Sequence, residues 1–239
     1  MTLRHSPVLT FLAWTILGMA GVSASGCSQP RMAAPADLNQ GMDELPVEGR
    51  SMASGMLVNE DFKIAPYQVA NVSRGAKHSS KFSVFGAFKA GSESGYSFDF
   101  KSGDKSVHGE CVSEAGEKGF AVGGTSISKQ TARLGCACGN EAAPSASVVM
   151  AAETGGNGYG GMLKAHADSF QLKAIYEREG ATLSDGTPAG YRVDGKGIVG
   201  AVDVMGKGRV WVQKSLSQDQ RVDLACVFAG LLLYKPPKD

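Results

Sequence analysis

The sequence predicts a mainly β protein, a closed or nearly closed antiparallel β-barrel around a hydrophobic C-terminal helix, and three observations carry that expectation. Gly makes up 32 of the 239 residues while Pro stays at nine; against a usual Gly share of ~7%, this excess suits tight turns better than disorder. From about Met56 onward, short segments alternate apolar and polar residues between Gly-, Ser-, Asp- and Asn-rich breaks, the pattern of strands with one buried face. The chain then ends in a run that is apolar on every side, Leu224 to Tyr234. Such a helix has no face for water, and a flat sheet would leave its far side exposed, so the sheet must wrap it. A β-sandwich or an open sheet with one covering helix is the alternative arrangement.

The amino terminus reads as an export signal. Arg4 and the α-amino group give a weak positive start, and Val8 to Ala20 is an uncharged apolar stretch, within the ~7 to 15 residues of a signal core and short of the ~20 that span a bilayer. Ala24-Ser25-Gly26-Cys27 resembles the bacterial lipobox, with Ala24 where that motif usually has Leu. The resemblance implies that residues 1–26 are a lipoprotein signal peptide, cut ahead of a Cys27 whose thiol carries a diacylglycerol. Ordinary cleavage after a small-x-small triplet would leave Cys27 a plain thiol, and the protein is exported in either case. Two or three acyl chains suffice to hold a soluble domain on a membrane. Ser28 stands where an Asp would mark inner-membrane retention, so an outer-membrane location is expected. Residues 27–55, with three prolines, scattered charges and no aromatic residue, read as a lipid-anchored flexible tether. Residues 56–239 are then the β-rich globular domain.

Within that domain Tyr96-Ser97-Phe98-Asp99-Phe100 sets three aromatics on one face. Phe82-Ser83-Val84, Val107 to Cys111, Thr125-Ser126-Ile127 and Phe170 to Ala174 alternate likewise, with breaks such as Ala90-Gly91-Ser92 and Ser102-Gly103-Asp104; together they read as an antiparallel meander. Tyr191 to Gly200 is expected to be a hairpin turning at Asp194-Gly195, continued by Val-rich strands from Ile198 to Met205 and Arg209 to Val212. Ser217-Gln218-Asp219-Gln220 forms a capping box, and Asp219 favours a helix start. The helix is expected over 217–234. Leu224, Val227, Phe228, Leu231 and Leu232 are its core residues, and Asp223 is the single charge from Val222 to Tyr234. Its apolar run is too short to cross a membrane, so protein must surround it.

The ending Tyr191-Arg192-Val193-Asp194-Gly195, Ala201-Val202-Asp203-Val204 and Val210-Trp211-Val212, followed by the apolar helix, is similar to the tubby-like group, which includes LURP-one-related proteins and phospholipid scramblases. The likeness runs from Asp61 to Tyr234 and implies an antiparallel barrel enclosing a hydrophobic C-terminal helix. It carries over no functional residue. Asp99 to Glu110 has the acidic ends of a calcium loop, but Lys101 and Gly103 occupy positions that require oxygen ligands. Lys77, Lys81 and Lys89 are dispersed and do not form a phosphoinositide pocket.

After Cys27 there remain Cys111, Cys136, Cys138 and Cys226, an even number in an oxidising compartment. Four cysteines allow three complete pairings, and the sequence leaves the choice open. Cys136 and Cys138 share one face of an extended chain, so each is better paired with a neighbouring segment than with the other, and a bridge from Cys111 to Cys136 or Cys138 is favoured. A strand-to-helix bridge through Cys226 would close a long loop and contribute about 2 to 4 kcal/mol. Metal binding by Cys136-Ala137-Cys138 with Cys111 or His108 is the competing reading, but zinc pairs are more widely spaced. His78, His108 and His166 lie among Ser, Lys and Gly without a nucleophile-and-base motif, and read as surface residues. Gly155-Gly156-Asn157-Gly158-Tyr159-Gly160-Gly161 lacks the Lys-Ser/Thr of a phosphate loop. No catalytic set, metal site or cofactor is therefore expected.

A formal net charge of +1 gives no field that would gather a polyanion, which argues against nucleic-acid binding. The expectation is a bacterial envelope lipoprotein that reaches the membrane through a lipidated Cys27. Its non-catalytic β-domain would bind or scaffold a lipid, a glycan or an envelope protein. A hydrolase or lipid-transfer enzyme with dispersed residues, and a structural subunit of an envelope complex, are its rivals.

Overall fold

The computed structural model describes residues 30–39, 41–51, 60–75, 94–122, 125–140, 143–153, 159–181 and 186–235. The expected signal segment, Cys27, the Phe82-Ser83-Val84 strand, His78 and residues 155–158 of the glycine-rich run lie outside them.

Among the described residues, twelve strands form one closed antiparallel barrel. In chain order they are β1 (Met42–Glu48), β2 (Phe62–Ile64), β3 (Tyr67–Gly75), β4 (Ser94–Ser102), β5 (Lys105–Val122), β6 (Thr125–Asn140), β7 (Ala143–Glu153), β8 (Gly160–Ala165), β9 (Asp168–Ile175), β10 (Gly190–Asp194), β11 (Ile198–Asp203) and β12 (Arg209–Gln213). Each pairs with the next, and β1 pairs with β12 from Met42↔Gln213 to Pro46↔Arg209. An even number of up-and-down strands brings first and last together antiparallel, which removes the sheet edges. The two rims differ. At one, the tight-turn rim, strands join through tight turns at 65–66, 103–104, 166–167 and 195–197; at the other, the long-connection rim, lie the ends of β1, β3, β5, β7, β9 and β11, all but β5 followed by five or more residues before the next strand.

Alternation is what turns these segments inward. Tyr96, Phe98 and Phe100 of β4 are all buried, as are Leu163 and Ala165 of β8 and Phe170 and Leu172 of β9. They meet helix α1 (Gln218–Leu233), which starts on a complete capping box: the Gln220 backbone N–H donates to Ser217 Oγ and the Ser217 N–H to Gln220 Oε1. Every residue from Asp223 to Leu233 is buried, and α1 touches β5, β6, β7, β8, β11 and β12. Strands on opposite sides of the ring contact one helix because it lies inside them. The closed barrel therefore holds, and the sandwich and open-sheet alternatives do not.

The stretch from 27 to 55 requires correction. Residues 42–48 are not tether but strand β1, whose Leu45 and Val47 face the core and whose partners are β12 and β2. Before it, a strap runs over the outside of the wall: Met32 bridges Arg178, Ala36–Asn39 is one turn of 3-10 helix, and Met32 and Leu38 are fully buried against Ile175, Ala189, Ala201 and Trp211. The apolar residues here are few, and Pro46 is a poor strand residue, so the segment lacks a strand's signature. It orders because the other eleven strands leave a gap that Leu45-Pro46-Val47 closes.

Candidate functional site

The lumen is occupied by the protein itself. Leu224, Val227, Phe228, Leu231 and Leu232 are fully buried among inward-facing residues of all twelve strands. Two glycines set how closely helix and wall approach. A Cβ at Gly200 would come within 3.0 Å of the Phe228 ring, and one at Gly230 within 3.0 Å of both Cys111 Sγ and Cys136 Sγ.

Those two sulfurs belong to a disulfide. Cys111 and Cys136 stand directly opposite on β5 and β6, with Cα atoms 4.1 Å apart, and their bridge lies against Gly230 of α1. Cys138, one inward position further along β6, joins Cys226 of the helix across 6.3 Å between Cα atoms. The first bridge staples two neighbouring strands and the second staples the wall to the plug. Cys136 and Cys138 thus each pair away from the other, and both sulfurs that a metal would have needed are covalently engaged.

Each end of the helix is closed by polar groups. At the long-connection rim, Arg50 donates to Leu232 O through Nε (3.1 Å) and Nη2 (2.8 Å), and through Nη1 to Val204 O (3.1 Å) and Gly206 O (2.8 Å). Arg74 Nη2 donates to Leu233 O (2.9 Å), and Tyr96 Oη to Gly230 O (2.8 Å). Two cations thus satisfy the carbonyls that a helix leaves unpaired, at the negative end of its dipole. Burial lowers the Arg50 guanidinium from its ordinary value to about 10, against the pull of Asp203, so it stays charged at neutral pH.

At the tight-turn rim the helix presents Asp223. Its Oδ1 accepts from Ser145 Oγ (2.7 Å), and Oδ2 lies 3.0 Å from His166 Nε2. The imidazole N–H is not aligned on that oxygen, which gains a neighbouring ring without a hydrogen bond. His166 is itself held at φ +52° in the turn between β8 and β9. Burial raises the Asp223 carboxyl, while the Ser145 hydrogen bond and His166 lower it. The order of contacts decides what this trio does. In a nucleophile relay the imidazole stands between hydroxyl and carboxylate; here the carboxylate stands between, and the Ser145 hydroxyl donates to it. The trio accommodates the helix's one buried charge.

Outside the barrel, an open groove of about 300 Å³ is lined by Glu48, Gly49, Asp61, Phe62, Lys63, Gln68 and Val69, where β1 and β2 meet. Its two carboxylates and one amine would meet a polar ligand by hydrogen bonding. His108 is on the outer wall, with Nδ1 3.5 Å from Asp99 Oδ1, and Asn71 Nδ2 donates to Asp99 Oδ2 (2.7 Å). Asn71 chiefly, with His108, holds the Asp99 carboxyl below its usual range. Sequence reasoning places both histidines on the surface but does not pair either with an acid. The signal it could have used is Asp223, because a lone charge in an apolar helix requires a partner.

The fold and its interior define a class, a closed antiparallel β-barrel plugged by its own C-terminal helix. Compared with known proteins, the chain matches no family model, no curated protein and no solved structure.

Proposed function

We propose that this protein is a lipid-anchored component of the bacterial envelope whose β-barrel is a non-catalytic binding or scaffolding module for a lipid, a glycan or an envelope protein. The observation that carries the reading is the filled lumen. With α1 and two disulfides inside, a ligand has to be taken on the outer wall, the rims or the groove beside β1 and β2. The export segment and Ala24-Ser25-Gly26-Cys27 support delivery and acylation of Cys27, and Ser28 supports the outer membrane. Disulfides suit an oxidising compartment. A barrel around a buried C-terminal helix is also what descent from the tubby-like group implies, and that kinship is part of the proposal.

Native mass spectrometry of the full protein, extracted from membranes of a cell that exports it, tests the reading. The expected mass begins at Cys27, carries acyl chains and includes a bound lipid, glycan or partner. A water-soluble protein with a free Cys27 thiol and turnover of an ester or glycoside substrate would overturn it.

A further inference from the structure

The strap changes how far the barrel can stand from a membrane. Arg31 O accepts from the Glu179 N–H (2.9 Å) and the Ala33 N–H donates to Glu177 O (2.9 Å). Between them Met32 is fully buried; its N–H donates to Asp203 Oδ2 (3.2 Å) and its carbonyl accepts from Arg209 Nη2 (2.7 Å). Arg209 in turn bonds Asp203 (3.1 Å) and Glu179 (3.0 Å). The chain is therefore bound to the wall from Arg31 onward. Four residue steps separate Arg31 from Cys27, a reach of about 14 Å at ~3.3 to 3.6 Å per residue. A free tether to residue 55 would reach about 100 Å.

The attachment point also has a definite place on the barrel. Glu177 and Glu179 follow the end of β9, Asp203 ends β11 and Arg209 begins β12; all belong to the long-connection rim, the one at which α1 ends. We propose that this rim is the membrane-facing surface, with a lipid bilayer as its partner, and that the tight-turn rim bearing His166 and Asp223 faces away from it. The proposal rests on acylation of Cys27 as given under Proposed function. Leash length sets the geometry: about 14 Å is less than the height of the barrel's longer strands, such as β4 at nine residues and ~3.3 Å per residue, so the far rim cannot come down to the headgroups without releasing the strap.

The test uses the full acylated protein in phosphatidylethanolamine–phosphatidylglycerol vesicles containing a nickel-chelating lipid. A spin label is placed at Lys207→Cys, exposed on the long-connection rim, or at Lys196→Cys, exposed in a tight turn; Cys111, Cys136, Cys138 and Cys226 are already paired. Relaxation enhancement by nickel is expected to be several-fold larger at position 207 than at 196, and a Gly/Ser spacer of about 20 residues inserted after Ser28 is expected to erase the difference, since such a coil spans ~25 Å on average. Equal enhancement at both sites, or a larger one at 196, in protein that floats with the vesicles overturns the orientation alone. Protein that does not float, with Cys27 unmodified by mass, overturns the anchoring and the orientation together.

Discussion

At the scale of single residues, the groups with most leverage lie at the two ends of the helix. Burial lifts the Asp223 carboxyl above its ordinary 3.8, and Ser145 and His166 only partly offset it. The folded protein therefore holds this proton more tightly than the unfolded chain. Its contribution to stability is fully present below 3.8 and is lost as pH rises through the raised value. Asp203 is shifted the same way by burial. In urea melts over a pH series, Asp223→Asn is expected to remove part of the decline in stability above 3.8, and the Asp203 share should remain; an unchanged profile would refute the assignment. Arg50 acts differently, as a fork that binds three carbonyls at once. Arg50→Met is expected to cost about 2 to 4 kcal/mol in denaturant melts, because those carbonyls would be left without donors. Arg50→Lys should not restore it, since an ammonium cannot reproduce the fork. Gly230→Ala should also destabilise, because a disulfide cannot yield to the new methyl group as a flexible side chain would.

Among the elements, α1 was the most legible and the strap the least. Ser217 to Gln220 and the apolar run from Leu224 to Tyr234 identify the helix and require that it be enclosed, because local chemistry decides both. The pairing of Cys138 with Cys226 depends on which strand passes the helix, and no spacing rule gives that. Breaking it with Cys138→Ser and Cys226→Ser together is expected to cost about 2 to 4 kcal/mol, read as a lower urea midpoint. The strap left only an indirect trace. In β11 and β12, Val199 to Asp203 and Val210 to Val212 are buried at every position, so both faces of that wall are covered. A run such as Val-Gly-Ala-Val thus records an outer cover without naming it, and the cover comes from a segment whose composition resembles a linker. Replacing Met32 and Leu38 by Ser should uncover Trp211, the one tryptophan after residue 26, and shift its emission to the red. An unshifted spectrum would show that the strap does not cover it.

For the whole molecule, period-two strands followed by an all-apolar helix were enough to infer a barrel, because only a closed sheet gives such a helix a complete surround. The count of twelve and the β1 to β12 seam were not legible, since closure depends on Leu45 and Val47 in a segment too poor in apolar residues to stand out. The polar trio of Ser145, His166 and Asp223 was hidden for a similar reason. Its members come from β7, a turn and α1, and only the closed barrel brings them together. A charge in the middle of the plug should be incompatible with the fold: Leu231→Asp would bury an unpaired carboxylate, at a cost of several kcal/mol against a total stability of ~5 to 15, and is expected to abolish the cooperative melting transition of the folded protein. The central claim, that α1 is the core of the barrel and not a covering or membrane-seeking helix, is tested most directly by native-state hydrogen exchange on the full protein. If the claim holds, amides from Leu224 to Leu233 exchange only through global unfolding, at the same free energy as the core of β6 and β11. Exchange of that helix at a free energy well below that of the strands would contradict it.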